Sequence, residues 1–202
     1  MNNIAVIGSG TMGRGIAYSA VVAGFQVKVQ DINEESLKVA ESYITKQLEK
    51  SVIKGWLMED QAAEVQTRIS YTTDLKMAAH DADLVIEAVL EIMELKTNIF
   101  KQLDDIAPPH AILATNTSTM SPTEIAAQTS RPDQCIAMHF FNPVPKMKLI
   151  EVICGLETAE ETIEKAFAVG EKMGKECIKV NEFPGFAVSR MNCLIGNEAM
   201  NM

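Results

Sequence analysis

Short apolar runs alternate with longer amphipathic segments along most of the chain. The runs are rich in β-branched residues, a composition typical of strands that are buried on both faces. Four of them are NIAVIG, FQVKVQD, ADLVIEAV and AILATN. The segments between them repeat apolar residues at helical spacing, as Leu37, Ala40, Ile44 and Leu48 do. This alternation predicts an α/β protein with a doubly wound, mostly parallel sheet.

Two further apolar runs, IAMHF and KLIEVI, flank the segment FNPVPKM with its two prolines. The pattern predicts two strands joined by a turn, added to the sheet as an antiparallel hairpin, with the prolines limiting pairing near the turn. The amphipathic segment AEETIEKAFAVGEKMG and the run KECIKV then predict one more helix and one more strand.

The end of the chain, from residue 181 on, has a different pattern. Residues 181–185 include Pro184 and Gly185, which is the composition of a linker, and the apolar-rich segment after them predicts a helix. We therefore expect one domain over residues 1–183. Residues 184–202 are expected to be the start of an all-helical C-terminal domain that the chain cuts short.

Composition and charge narrow the possible partners. The 202 residues are 47% hydrophobic and 22% charged, which is ordinary for a soluble protein. A net charge of −9 and a pI of about 4.9 argue against binding to nucleic acid. The four cysteines are widely spaced, so neither a metal site nor a disulfide framework is expected. With no basic leader and no membrane-length apolar run, we expect a cytoplasmic protein that does not enter a membrane.

A glycine-rich turn follows the first strand. Gly8, Gly10 and Gly13 form the pattern G-x-G-x-x-G, with a strand before it and a helix after it. In a Rossmann-like fold this turn, here including Thr11 and Met12, brings backbone N–H groups and a helix N-terminus to a pyrophosphate. The alternative is a glycine turn that binds no ligand.

An acidic residue closes the second strand and strengthens the dinucleotide interpretation. Asp31 lies 18 positions after Gly13, close to the spacing expected of the residue that accepts hydrogen bonds from the adenosine ribose. No arginine follows it, since the next residues are Ile32, Asn33 and Glu34. The pattern therefore predicts NAD rather than NADP as the cofactor.

Polar side chains also follow the other predicted strands. Since ligands bind beyond the carboxyl ends of the strands in doubly wound sheets, these side chains are expected at the cofactor edge. They are Glu87 with Glu91, Asn116 with Ser118, and His139 with Asn142.

One imidazole and one carboxylate lie in the two strands of the predicted hairpin. A turn of this length allows His139 and Glu151 to lie opposite each other or one pair apart. A carboxylate beside an imidazole orients the ring and fixes its tautomer, as a general base requires. The alternative is a hydrogen-bonded structural histidine. The dinucleotide pattern upstream favours the catalytic interpretation.

Three lysines recur every four residues on the long helix that follows Asp31. Lys46, Lys50 and Lys54 therefore share one helix face. The face is either simply solvated or a docking surface for an anionic ligand.

Taken together, these segments resemble the short-chain L-3-hydroxyacyl-CoA dehydrogenase family, and within it the bacterial 3-hydroxybutyryl-CoA dehydrogenases. The resemblance covers essentially the whole chain, and HFFNPVPKMKLIEV is its most specific part. The residues that carry it are AVIGSGTMGRGIA, Asp31, LVIEAVLE with Lys96, ATNTSTM, HFFNPVPKMKLIEV and FPGFAVSR. The resemblance implies oxidation of an L-3-hydroxyacyl-CoA to the 3-ketoacyl-CoA with NAD, or the reverse.

The resemblance also implies roles for individual residues. His139 matches the general base, Glu151 its orienting partner, and Ser118 the residue that hydrogen-bonds the reacting oxygen. Ser189 stands where the family often has an asparagine that polarises this oxygen, and Asn192 lies one turn further on. The positions that match cofactor contacts are Gly8, Gly10, Thr11, Met12, Gly13, Asp31, Glu91, Lys96, Asn116, Ser118 and Asn142.

For the acyl-CoA substrate, the resemblance implies a contact of Lys54 with the CoA phosphates, whereas a serine of some relatives is Gln47 here. Lys50, on the same helix face, and Ser118 are expected to contact the substrate as well. It also implies a homodimer for the full-length protein, formed through the helical domain. The 202-residue chain is then expected to bind NAD with weak or absent turnover. Two alternatives remain: an NAD-binding domain without turnover, and a dehydrogenase of a small hydroxy acid that lacks CoA.

Overall fold

The computed structural model describes all 202 residues and contains one eight-stranded sheet flanked by helices. The strands are β1 (Asn3–Ile7), β2 (Gln26–Gln30), β3 (Ile69–Thr72), β4 (Leu84–Glu87), β5 (Ile112–Thr115), β6 (Cys135–Phe140), β7 (Leu149–Cys154) and β8 (Glu176–Asn181). The helices are α1 (Thr11–Val22), α2 (Glu34–Ile53), α3 (Glu59–Thr67), α4 (Leu75–Ala79), α5 (Met93–Ile106), α6 (Pro122–Ala126), α7 (Glu160–Lys172) and α8 (Val188–Asn201).

The strands lie side by side in the order β3-β2-β1-β4-β5-β6-β7-β8. All neighbouring pairs are parallel except β6 and β7, which are antiparallel. The chain moves outward from β1 to β3 and then returns to β4 beside β1. A doubly wound sheet opens its ligand crevice at this switch point. The predicted Rossmann-like sheet with an added antiparallel hairpin is confirmed.

Both faces of the sheet are covered, which explains why its central strands read as continuous apolar runs. Helices α1, α2 and α7 pack on one face, and the predicted stripe of Leu37, Ala40, Ile44 and Leu48 lies buried there. Helices α4, α5 and α6 pack on the other face, where Phe100 contributes to the core.

Helix ends follow the local chemistry of the sequence. The side chain of Asn33 caps α2 by accepting a hydrogen bond from the Glu35 N–H. Ser121 caps α6 in the same way for Glu124. Helix α4 was not predicted, because five residues are too few to show a period. Asp74 begins it by accepting hydrogen bonds from two backbone N–H groups.

Helix α8 buries none of its residues. Leu194 and Ile195, in its middle, are two-thirds exposed. The predicted boundary between residues 183 and 184 stays a prediction. None of the helices combines the length and the hydropathy that crossing a lipid bilayer requires.

Candidate active site

The glycine turn joins β1 to α1 at the switch point. Gly8 has a φ of +95°, and its N–H donates to the carbonyl of Gln30 at 2.8 Å. A Cβ on Gly13 would lie 1.8 Å from the carbonyl oxygen of Gly8. No side chain fits there, so the glycine at position 13 allows α1 to pack closely on β1.

The N-terminus of α1 is open. Gly10 provides no side-chain cap, and the first turn contains no acidic residue. A Cβ on Gly10 would meet no atom within 4 Å. The helix end therefore offers N–H groups and positive potential to an anion, which fits a pyrophosphate. The individual cofactor contacts of Gly10, Thr11 and Met12 stay predictions.

Asp31 lies directly after β2 and is bound to the glycine turn. Its Oδ2 accepts hydrogen bonds from Ser9 N–H at 2.9 Å and from Ser9 Oγ at 2.8 Å. Its Oδ1 accepts from the Asn33 N–H at 3.0 Å. The next side chain, Ile32, is 91% exposed and brings no cation. The predicted preference for NAD fits this arrangement, whereas the bond to Ser9 could not be predicted.

A fully buried ion pair lies beside the crevice. Lys96 Nζ, on α5, lies 2.8 Å from Glu87 Oε1 at the end of β4, and both side chains are 0% exposed. The Thr115 hydroxyl donates to Glu87 Oε2 at 2.7 Å, and the Val89 N–H donates to Oε1 at 2.7 Å. The ammonium also lies 3.2 Å from Glu91 Oε2. Lys96 thus joins two carboxylates, and its predicted contact with the cofactor stays a prediction.

Glu91 fixes the loop that follows β5. Its Oε1 accepts hydrogen bonds from the Thr117 hydroxyl and from the Ser118 N–H, the latter at 2.9 Å. Burial alone would raise the pKa of Glu91, but these donors and Lys96 outweigh it, so the pKa is lowered. The ionised carboxylate holds Ser118 in place. Its predicted contact with the cofactor is untested, and this positioning role was not predicted.

His139 and Glu151 are directly paired across the antiparallel strands β6 and β7. His139 Nδ1 lies 2.7 Å from Glu151 Oε2, and the two side chains are 6% and 0% exposed. A carboxylate accepts, so Nδ1 carries the proton and Nε2 presents a lone pair. Ser118 Oγ lies 3.1 Å from this Nε2. The predicted cross-strand pairing is confirmed, and the structure adds a hydrogen bond between Ser118 and the other ring nitrogen of His139.

The other oxygen of Glu151 is bound by the backbone that enters α8. Its Oε1 accepts from the N–H groups of Ala187 at 3.1 Å and Val188 at 2.9 Å. Phe186 lies beside them, with its ring centroid 5.7 Å from that of His139. Sequence reasoning missed these contacts. The one available signal was Gly185, which marks a turn in this segment.

The three remaining predicted site residues form no hydrogen bond with the side chains of Ser118, His139 or Glu151. Asn116 Oδ1 accepts from the Phe140 N–H at 2.9 Å and so fastens the end of β5 to β6. Asn142 is exposed in the turn after β6. Ser189 lies in the first turn of α8 and is partly exposed. Their contacts with cofactor or substrate stay predictions.

A lysine-rich cavity of about 1120 Å³ lies between α1, α2, α7 and the turn before β7. Two of the lining residues contact each other: Lys54 Nζ lies over the Trp56 ring, 4.5 Å from its centroid. Lys46 lies outside this cavity, in a separate groove beside Arg14. The three-lysine face is therefore divided. The lysines that line the cavity are Lys50, Lys54, Lys146, Lys172 and Lys175.

Comparisons with known proteins agree with this geometry. Residues 3–183 match the family described as 3-hydroxyacyl-CoA dehydrogenase, NAD binding domain. A probable 3-hydroxybutyryl-CoA dehydrogenase of Bacillus subtilis is 49% identical over 99% of this chain and 69% of its own length. The 3-hydroxybutyryl-CoA dehydrogenase of Clostridioides difficile is 43% identical over 98% of this chain and 70% of its own.

A solved structure leads to the same family. The crystal structure of (S)-3-hydroxybutyryl-CoA dehydrogenase from Ralstonia eutropha superposes with a TM-score of 0.94 at 39% identity, covering 98% of this chain and 70% of that one. Three findings indicate the same family: the glycine turn, the antiparallel pairing of β6 with β7, and the match over residues 3–183. This chain belongs to the 3-hydroxyacyl-CoA dehydrogenase family, and its residues 3–183 match the NAD-binding domain of that family.

Proposed function

We propose that this chain provides the cofactor-binding and proton-transfer sites for NAD-dependent interconversion of an L-3-hydroxyacyl-CoA and the corresponding 3-ketoacyl-CoA, with 3-hydroxybutyryl-CoA as the leading substrate. The observation that carries the proposal is a series of two hydrogen bonds through the imidazole of His139. Its Nε2 lies 3.1 Å from Ser118 Oγ, and its Nδ1 lies 2.7 Å from Glu151 Oε2. Relatives named 3-hydroxybutyryl-CoA dehydrogenase support the choice of substrate.

His139 is the proposed general base. Glu151 holds the proton on Nδ1, so Nε2 is the acceptor and here receives the Ser118 O–H. When the serine O–H turns to the reacting oxygen, the Nε2 lone pair takes the proton from the substrate hydroxyl. A bound NAD would supply the acceptor for the hydride that leaves the carbon bearing this hydroxyl. In the reverse direction the imidazolium returns the proton to the carbonyl oxygen. One proton and one hydride leave the alcohol, which balances the conversion to a ketone.

Ser118 is the proposed donor to the reacting oxygen. Its hydroxyl lies 3.1 Å from His139 Nε2, so an oxygen placed beside both groups would contact the base and the donor together. Glu91 holds the Ser118 backbone at 2.9 Å, which limits the movement of this donor. The two side chains therefore define the position of the substrate oxygen.

The lysine-rich cavity is the proposed site for the phosphates of CoA. Four lysines of the lining, Lys50, Lys54, Lys146 and Lys172, suit a ligand with several negative charges, whereas a small free hydroxy acid brings only one. The ammonium of the fifth, Lys175, donates to the carbonyls of Val144 and Met147. The sole tryptophan, Trp56, lines this cavity and gives a direct probe of binding.

Tryptophan fluorescence during titration with CoA tests this site. We expect CoA to quench Trp56, and Lys50→Ala/Lys54→Ala to weaken CoA binding at least about tenfold, roughly 1.4 kcal/mol. Lys46→Ala is the matched control, because this lysine lies outside the cavity. Equal CoA affinity for the double variant and the control would refute the placement of the phosphates.

A steady-state assay tests the reaction. NADH oxidation should proceed with acetoacetyl-CoA and should be far slower with acetoacetate or with NADPH. Turnover of acetoacetate at the same rate would favour a small hydroxy acid as the substrate. Binding of NADH without turnover of either compound would instead support a binding domain without catalysis.

We also propose a cytoplasmic location and, for the full-length protein, assembly as a homodimer. The dimer proposal rests on the apolar residues that α8 exposes, among them Leu194 and Ile195. Light scattering of purified protein over a range of concentrations tests it. A monomer at every concentration would contradict the proposal.

A further inference from the structure

The segment from residue 182 to residue 188, which we name the strap, connects β8 to α8 and passes over the buried side of the His139–Glu151 pair. It begins at Glu182, turns at Gly185 and ends at Val188. Both ends of the strap are hydrogen-bonded to other parts of the fold, and its middle is packed against the imidazole.

The first end is fastened by a carboxylate. Glu182 Oε1 accepts a hydrogen bond from the Ser121 hydroxyl, and Oε2 accepts one from the Thr123 hydroxyl. Ser121 also caps α6, and Thr123 Oγ1 accepts from the Leu156 N–H at 2.9 Å. The strap is thus tied to α6 and to the loop after β7, both of which belong to the sheet domain.

The middle of the strap has an uncommon backbone conformation. Gly185 has a φ of +77° and Phe186 a φ of +48°, a region that residues other than glycine rarely adopt. Such a conformation persists where the surroundings impose it. Here Phe186 is buried against Ala137 and Ile153, and its ring meets that of His139.

The second end supplies the donors for Glu151. The Ala187 and Val188 N–H groups occupy Oε1, while His139 occupies Oε2. A carboxylate with both oxygens bound is fixed in its rotation, and so is the ring that it orients. Without the strap donors, Oε1 would be a buried acceptor without a partner.

We propose that Glu182 is a positioning residue that acts through the strap on Glu151 and thereby sets the tautomer and orientation of His139. This inference rests on the proposed function in so far as His139 is the base. Glu182 itself is hydrogen-bonded to Ser121 and Thr123 and to no group of the His139–Glu151 pair.

Nuclear magnetic resonance of the 202-residue chain tests the proposal without requiring turnover. Only three histidines are present, so the ring nitrogens of His139 can be assigned against the exposed His80 and His110. Glu182→Ala should speed hydrogen exchange of the Val188 amide at least about tenfold, because the opened state becomes more populated. It should also convert His139 from the single Nδ1–H tautomer to a mixture.

Two comparisons keep the test specific. Glu182→Gln retains one acceptor oxygen and should give intermediate effects, and it decides the outcome if Glu182→Ala does not fold. Glu160→Ala removes an exposed carboxylate that pairs with Lys179 and should change neither quantity. In active protein, Glu182→Ala should lower kcat about tenfold, within the range for misplaced catalytic groups, and leave KM for NADH unchanged.

A single Nδ1–H tautomer of His139 in a folded Glu182 variant would overturn the proposal, whether or not the Val188 amide exchanges faster. Failure of the proposed function would look different. The wild-type chain would then bind NADH, and Glu182→Ala would show the expected tautomer change. No protein containing the wild-type chain, however, would turn over a 3-ketoacyl-CoA.

Discussion

His139 Nδ1 lies 2.7 Å from Glu151 Oε2 because these two residues are directly paired across β6 and β7. The same carboxylate accepts from the backbone N–H groups of Ala187 and Val188 through its other oxygen. Three donors therefore converge on a side chain that is 0% exposed. Its two oxygens serve the imidazole on one side and the start of α8 on the other.

Replacing Glu151 by glutamine should disrupt this balance. Glutamine offers one acceptor oxygen to three donors, and its NH₂ group would face either the imidazole or the backbone N–H groups. We expect kcat to fall about 10²-fold, at the lower end of the range for general acid–base catalysis. NADH affinity should not change. Stopped-flow measurement of NADH oxidation checks this, with the exposed Glu157→Gln as control. Wild-type kcat in Glu151→Gln would show that the carboxylate does not orient the base.

Alanine at two glycines of the turn should affect different properties: Gly13→Ala should lower stability, whereas Gly10→Ala should lower the affinity for NAD. Gly13→Ala places a Cβ 1.8 Å from the Gly8 carbonyl oxygen, and we expect the free energy of unfolding to fall by about 2 kcal/mol. Gly10→Ala meets no atom within 4 Å and should leave stability unchanged. Its methyl group would occupy the space that a pyrophosphate needs, so NAD affinity should fall at least about tenfold.

Urea unfolding and calorimetric titration with NAD check this pair together. Each variant is the control for the other, because both make the same chemical change within one turn. Unaltered NAD binding by Gly10→Ala would contradict the placement of the pyrophosphate at the N-terminus of α1.

The buried pair of Lys96 and Glu87 should be intolerant of the loss of one partner. Lys96→Met leaves the Glu87 carboxylate 0% exposed without its cation, and we expect a loss of about 3–5 kcal/mol in the free energy of unfolding. Lys101→Met, on the exposed face of the same helix, should change stability little. Denaturant unfolding of the two variants is the measurement. An equal and small effect of both substitutions would mean that the pair does not stabilise the fold.

Glu91 should make part of the stability depend on pH. Its pKa in the folded protein is lowered below the usual 4.5, so its contribution is present above 4.5 and is lost as pH falls through the folded-state value. We expect unfolding free energy to decline less steeply with acidification in Glu91→Gln than in the wild type. Denaturant unfolding from neutral pH to below 4.5 checks this. Parallel curves would show that the carboxylate does not hold the Ser118 loop through its charge.

The parts of the fold predicted from sequence are those that local pattern controls. The glycine turn with Gly8 and Gly13 needs only a strand before it and a helix after it. The pairing of His139 with Glu151 follows from the two-residue period of a strand and the length of one turn. These features are encoded within a few residues or across a single hairpin, so no long-range contact had to be known.

The features that could not be predicted depend on long-range contacts. Lys96 looks like an ordinary helix lysine, and only the position of α5 against β4 makes it fully buried. The cavity collects lysines from segments more than a hundred residues apart, such as Lys54 and Lys172, and it leaves out Lys46. The donors to Glu151 are backbone N–H groups, which every residue except proline possesses, so their identity carries no sequence signal.

The most direct test of the account is turnover by His139→Gln, measured as NADH oxidation with acetoacetyl-CoA in the 202-residue chain and in any longer protein that contains it. We expect kcat to fall by about 10²- to 10⁴-fold, the range for removal of a general acid or base. NADH affinity should stay unchanged, and the exposed His80→Gln should behave as the wild type. Wild-type turnover by His139→Gln would contradict the claim that this imidazole carries the proton.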